Sequence, residues 1–397
     1  MMPNYTTTKL ACYIGYITQA ITINFPPLLF LTFRKIWGIT DSQLAFLIAL
    51  VFVVQLAIDY LSAFFLDKLD HKTCLVISHV VAAAGLAGLA FVPDLLPSFA
   101  GLLLCAIVYS LGSGLNEVLI SPTVERCPRE NDSDNLGFLH SFYSWGCVLV
   151  ILLSTLYFVT IGIEHWRFLS IFWALIPACN IFLFLRAPMP PLEPEEKRMN
   201  VKSLSKSPFF WLLFLIMFCA GAAELAVAQW ASAFAEAGLQ ISKTAGDLAG
   251  PCLFAILMGA SRMLYGKLER FFSLSTIMTV SAVGLTVSYL VATVIPNPIV
   301  SLFGLGFCGF FVGIMWPGAL SLGASTLIGG GTAMFSLLAL SGDLGCTVGP
   351  ALVGFISDHT GGDMKFALLC STVYPIILVI GLAIAGIVTR KKKKQTK

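Results

Sequence analysis

Five ionisable residues interrupt stretches of sequence that are otherwise apolar: Asp59, Glu117, Glu224, Arg262 and Asp343. On insertion scales each such charge costs roughly 2.5–3.5 kcal/mol at mid-membrane, so five unpaired ones would cost on the order of 12–17 kcal/mol. That rivals the whole stability of a typical domain, about 5–15 kcal/mol. The groups must therefore be paired, protonated or hydrated, and one shared aqueous chamber would meet all three needs. The chemistry within their reach is holding protons and binding polar solutes.

Their neighbours sharpen this. Glu224 lies about 15 residues into its stretch, roughly 22 Å along a helix, which is near the midplane. Gln229 and Trp230 follow within two turns. A carboxylate, an amide and an indole can bind hydroxyls while the ring packs on a sugar face; the other reading is an interhelical hydrogen bond that only fastens a bundle. Glu117 follows Asn116, and Gly112 and Gly114 before it admit a close neighbour. A carboxyl in a poorly hydrated site can take up and release a proton near neutral pH, or it can stay protonated as a helix tie. Asp343, within Ser341-Gly342-Asp343-Leu344-Gly345, suits a substrate or cation ligand or the partner of a helix bend.

Asp59 and Arg262 fall at corresponding ends of the second and eighth apolar stretches. Opposite charges there are expected to close an inner gate, or else to form a static bridge, or Arg262 snorkels to the cytoplasm. Gln19 and Asn24 precede Pro26-Pro27, which lack amide donors and are expected to kink the helix. Gln55 is one turn from Asp59 and shares its surroundings. Trp145 and Trp316 suit stacking on a sugar or plain packing. His140 and Tyr143 begin a span, and His140 reads more readily as a satisfied group at a helix end than as a proton relay.

The elements that must carry these residues follow from composition. Of 397 residues 57% are hydrophobic and 11% charged, against roughly 25% charged in soluble domains. Apolar runs fall near 9–33, 41–66, 73–93, 97–121, 137–159, 166–186, 209–236, 243–267, 272–295, 298–322, 331–357 and 364–389. At about 20 residues per crossing these make twelve transmembrane helices. The runs are continuous, without the alternation of a membrane barrel, so the fold class is all-α. The eleven cysteines show no CxxC and no regular spacing, so neither a metal site nor a disulfide scaffold is expected. Neither a Walker-type loop, HExxH nor Gly-x-Ser-x-Gly occurs. No enzyme and no cofactor are expected, and energy must come from gradients.

Placing the amino terminus, the even-numbered loops and the tail on one side collects 18 of the 24 Lys and Arg, the run Arg390–Lys394 among them. By the positive-inside rule both termini are cytoplasmic. Residues 187–208, rich in proline and mixed charge, read as a solvated linker between a bundle over 1–186 and a second over 209–397 with a basic tail. Shifting the first half by 199 residues sets Asp67-Lys68-Leu69-Asp70 on Gly266-Lys267-Leu268-Glu269, Gly114 on Gly313 and Glu117 on Trp316. That offset suggests a duplicated six-helix unit.

Twelve spans in two groups of six, cytoplasmic termini and a basic central loop resemble the major facilitator superfamily. After span two, that family shows Gly, three residues, then Asp-Arg/Lys-x-Gly-Arg-Lys/Arg. This chain reads Ala63-Phe-Phe-Leu-Asp67-Lys68-Leu69-Asp70-His71-Lys72, keeping the acid-base core without the glycines. Gly-Ser-Gly-Leu-Asn116-Glu117-Val-Leu-Ile-Ser-Pro122, with Leu139-His140-Ser-Phe-Tyr143-Ser-Trp145-Gly146, is similar to the fourth and fifth spans of fucose permease-like sugar symporters. Trp316-Pro317 and the Gly345-to-Asp358 stretch look like their late spans.

The resemblance implies a proton-coupled carrier of a sugar or similar polyol, with its proton-coupling acid on the span of Glu117. The reading is a secondary active transporter of the cell membrane. Expected substrate-binding residues are Gln19, Asn24, Asn116, Glu117, Glu224, Gln229, Trp230, Trp316 and Asp343. Glu117 and Glu224 are expected to couple protons, and Asp59, Arg262 and Asp67 to gate. The partners are a small-molecule solute, protons and membrane lipid, with no nucleic acid and the chain acting as a monomer. The rival readings are an exporter of amphipathic compounds, which the 31 phenylalanines keep open, and a membrane receptor or scaffold.

Overall fold

The computed structural model describes residues 5–39, 41–128, 135–192, 199–234, 243–361 and 363–395, and every regular element among them is helical. The chain divides into two compact units, residues 1–128 with 142–194 and residues 129–141 with 195–397. The first holds α1 (Thr6–Leu28), α2 (Phe30–Trp37), α3 (Asp41–Phe65), α4 (His71–Gly88), α5 (Val92–Leu95), α6 (Ser98–Glu125), most of α7 (Asn135–Thr160) and α8 (Trp166–Arg186). The first turns of α7, up to Ser141, cluster with the second unit. That unit holds α9 (Val201–Ser205), α10 (Pro208–Ala233), α11 (Lys243–Leu268), α12 (Leu274–Val294), α13 (Pro298–Val312), α14 (Met315–Thr326), α15 (Gly331–His359), α16 (Met364–Cys370) and α17 (Val373–Gln395).

Ten segments among the described residues, not twelve, are long and apolar enough to cross a membrane. The 23-residue α1 has the length, but Lys9, Gln19, Asn24, Pro26 and Pro27 dilute its apolar character. Of α11, only some side chains are described. Large apolar side chains point outward along these helices, as in Phe168 (69% exposed), Phe182 (65%) and Val280 (63%). In water such surfaces would be an aggregation hazard; against lipid tails they are the matched solvent.

Several expected spans are split; the twelfth, read over 364–389, becomes α16 and α17, parted at Ser371-Thr372. The first, read over 9–33, becomes α1 and α2, because Pro26 and Pro27 cannot donate to the carbonyls one turn earlier and the chain tightens at Leu29, whose N–H bonds Pro26 O. The tenth, read over 298–322, becomes α13 and α14, because Pro317 has no N–H for the carbonyl of Gly313.

Within the first unit α6 packs on α1, α3 and α4, and α8 packs on α1 and α4. Within the second, α13 packs on α10, α11 and α12, and α17 on α10 and α12. The order of neighbours is the same. Absent side chains make some of these contacts possible: a methyl group at Gly85 or Gly112 would strike the backbone of Tyr109 or Ser78, and one at Gly345 the Phe218 carbonyl of α10. Small residues that let helices touch are the usual means of packing in lipid, where apolar burial provides no drive between helices.

At one end of the first unit a polar clamp joins α2, α5 and α8. Arg167 pairs with Asp94, donates to Ala90 O at 2.9 Å and stands 5.2 Å from the Trp166 ring centroid, while Trp37 Nε1 donates to Asp94 at 3.3 Å. The hydrogen bond from Arg167 holds the Asp94 carboxyl below its ordinary range. A depressed carboxyl stabilises the fold above the unfolded value of about 3.9 and loses that contribution as pH falls through the folded value. Asp94→Asn is therefore expected to lower the melting temperature by a few degrees at pH 7, under about 1 kcal/mol for so exposed a pair. Melting curves of both proteins should converge once the pH falls below the depressed folded-state value of Asp94; a gap that persists there would sink the assignment.

Candidate functional site

In the first unit, the absence of a side chain at Gly114 lets α3 lie close to α6: a Cβ there would be 3.1 Å from Ile58 and 3.5 Å from the Cα of Gln55. Gln55 is thereby brought to Glu117, and its Nε2 donates to Oε2 at 3.3 Å. From α1, Gln19 Nε2 donates to the same oxygen at 2.8 Å. Gln55, one turn from Asp59 on α3, thus also reaches a carboxylate of α6. Asp59 itself is fully buried in α3.

Asn116, next to Glu117 but turned toward α4, accepts from Ser78 Oγ at 2.7 Å. Ser78 lies 3.1 Å from His79 Nδ1. His79 Nδ1 is 2.8 Å from the Leu75 carbonyl, which can only accept, so Nδ1 carries the proton and Nε2 is left to accept from Asn180 Nδ2 at 2.9 Å. Asn180 also donates to Ala11 O at 2.9 Å. This fully buried chain ties α6, α4, α8 and α1 together around a neutral histidine. His79 and Asn180 escaped the sequence reading; a histidine and an asparagine deep in apolar runs were the available signal.

In the second unit Arg262, 2% exposed, is the hub. The proline of Trp316-Pro317 has no N–H to give the carbonyl four residues earlier, that of Gly313, and its ring crowds that carbonyl. Hence α13 ends at Val312 and α14 begins at Met315. Arg262 Nε supplies the missing donor to Gly313 O at 2.8 Å, its NH1 donates to the His140 carbonyl at 3.2 Å, and its NH2 lies 3.6 Å from Glu224 Oε2. Glu224 is thus held by a cation, whereas Gln19 and Gln55 hold Glu117 through neutral carboxamides. The glycines aligned by the 199-residue shift play like parts: as Gly114 abuts α3, Gly313 abuts Met258 and Ser261 of α11.

Trp230 donates its indole N–H to Pro350 O at 3.0 Å, and Trp316 is buried with its ring over Gly342, where any side chain would collide with it. Asp343 is buried beside Gly342, with its carbonyl accepting from Thr347. Gln229 is exposed. Asn24 bonds Ala20 O of its own helix at 2.9 Å and Cys147 Sγ at 3.2 Å. The Asp67 side chain lies outside the described residues, as do those of Arg390–Lys394. Among the described residues no group of three His, Cys, Asp or Glu side chains could hold a metal ion.

The profile of the Major Facilitator Superfamily matches residues 12–350. The chain belongs to the Major Facilitator Superfamily. As a member it is a multi-pass membrane protein of a family of transporters, the family the sequence resembles. Among solved structures it is similar to the Escherichia coli fucose:proton symporter FucP, with a TM-score of 0.79 at 16% identity over 96% of this chain and 99% of that one. It is also similar to the proton:xylose symporter XylE bound to 6-bromo-6-deoxy-D-glucose, with 0.80 at 11% over 94% of both chains. A bacterial homologue of the iron transporter ferroportin, in an outward-facing state with soaked iron, gives 0.77 at 15% over 96% and 99%. At such identities the likeness shows the shared fold. No curated protein matches the chain with comparable significance.

Proposed function

We propose that this superfamily member is a secondary active transporter of the cell membrane that moves a small polar solute, a sugar or polyol, by alternating access coupled to protons. Both termini face the cytoplasm, and the protein works as a monomer surrounded by lipid. The observation that carries the reading is the Gln19–Glu117–Gln55 cluster: a carboxylate inside a membrane span, held by two carboxamides, is a group that can exchange a proton and bind hydroxyls. Glu224, held by Arg262, is the second carboxylate available to substrate or proton, with Trp230, Trp316, Gln229, Asp343, Asn24 and Asn116 as further contacts. Asp59, Arg262 and Asp67 are proposed to gate. The sugar:proton symporters on the same fold support the solute class.

Uptake of labelled sugars into proteoliposomes tests this. An acidic exterior is expected to drive accumulation of at least one sugar and a matched pH to abolish it. Transport that ignores the gradient would remove proton coupling. Selective movement of lipophilic cations, with no sugar moved, would favour an exporter of amphipathic compounds.

A further inference from the structure

Gln19 and Gln55 come from different helices of one unit, yet both donate Nε2–H to a single oxygen of Glu117, at 2.8 and 3.3 Å. They are 4% and 2% exposed. A carboxylate only accepts hydrogen bonds, so the charged Glu117 turns the NH2 end of each carboxamide toward itself and the C=O end away. Both Oε1 atoms are buried with no hydrogen-bond partner. By amide geometry each lies within about 6 Å of the shared carboxylate oxygen. Buried acceptors are ordinarily filled, and two empty ones this close together call for two donors.

We infer that Gln19 and Gln55 form a carboxamide switch that reads the protonation of Glu117 and sets which solute groups the first unit can bind. This rests on the reading of Glu117 as the coupling acid. When Glu117 takes a proton from water, its new O–H must donate, and the acceptor beside it is a carboxamide oxygen brought in by a half-turn of one glutamine about Cγ–Cδ. No bond between heavy atoms changes. That glutamine then shows its NH2 where it showed its C=O, while the other remains a donor to the second lone pair of the acid. The pattern offered to a solute passes from two acceptors to one acceptor and one donor. A hydroxyl both donates and accepts, so neighbouring hydroxyls are held in both states. An ammonium group suits only the charged state, and an ether oxygen only the protonated one. Solutes with adjacent hydroxyls are therefore selected because they survive the proton step.

Other titratable groups stand on the helices packed against α6. Tyr16 of α1 is 2.7 Å from Ser121 Oγ, and His79 of α4 is held neutral as described above. Asp94 on α5 sits by the far end of α6, and Asp59 of α3 is one turn from Gln55. Asp59 is the group whose titration would most closely imitate that of Glu117.

Full-length protein in lipid nanodiscs, labelled with 15N at glutamine side chains, is to be followed by NMR from pH 4 to 9. Gln19→Met and Gln55→Met assign the two amide signals. Both signals are expected to shift with one shared midpoint, to do so still in Asp59→Asn, and to stay flat in Glu117→Gln. Flat signals in the unsubstituted protein, or a titration removed by Asp59→Asn, would overturn the switch. In thermal-shift binding, sorbitol is expected to stabilise the protein on both sides of the midpoint and ethanolammonium only above it. Permethylated sorbitol should bind only below the midpoint, and Gln55→Met should weaken sorbitol about tenfold. If none of sorbitol, fucose and xylose stabilises the protein at any pH, the solute-selection half falls together with the transport reading. The amide titration decides the switch separately.

Discussion

Proteoliposomes carrying Glu117→Gln are expected to exchange labelled for unlabelled solute near the unsubstituted rate and never to concentrate it. The substituted carboxamide has the shape of the neutral acid and both donates and accepts, so it can still bond Gln19 and Gln55, which lie 2.8 and 3.3 Å from the carboxylate in the native protein. It cannot release a proton at any accessible pH, so a cycle through it moves solute without charge chemistry. With one proton per solute, a gradient of one pH unit supports up to about tenfold accumulation, and that ratio should fall to about one. Counterflow and gradient-driven uptake, measured on the same vesicles, check it. If counterflow disappears as well, Glu117 recognises solute rather than coupling it to protons.

Arg262→Met is expected to be the most destabilising single change among the polar residues of the second unit. It removes the cation 3.6 Å from Glu224, and with it the donor to Gly313 O, which Pro317 cannot replace. Taking one partner from a buried pair leaves the other charge uncompensated, at about 3–5 kcal/mol. At roughly 2–4 °C per kcal/mol for domains of this size, the melting temperature should drop by about 10 °C. Glu224→Gln in the same background should recover part of the loss, because the orphaned charge is gone while the empty carbonyl at the helix break remains. A double-substituted protein no more stable than Arg262→Met alone would show that Glu224 does not depend on this arginine.

The charged interruptions of apolar sequence point to Glu117, Glu224 and Arg262; Glu117 and Arg262 prove to be hydrogen-bonding hubs, and Glu224 is ion-paired to the arginine. What they bond was less legible. The helical turn places Gln55 near Asp59, but its bond to Glu117 depends on the missing side chain of Gly114 on another helix. His79 drew no attention as a lone buried histidine, although it bonds α4 and α8 itself and sits in a hydrogen-bonded chain that also reaches α6 and α1. Pro317 breaks its helix by the same missing donor as Pro26-Pro27, but which group takes the freed Gly313 carbonyl, an arginine of α11, depends on packing.

Sequence alone determined that this chain crosses a membrane as helices and belongs to a transporter superfamily. Those properties are sums along the chain, built from runs of apolar side chains and a few motifs, and they need no knowledge of neighbours. Tertiary structure decided which acid is held by carboxamides and which by a cation. A side chain turns about 100° from its predecessor around a helix, so its partner depends on which helix packs against that face and how closely the glycines there let it approach.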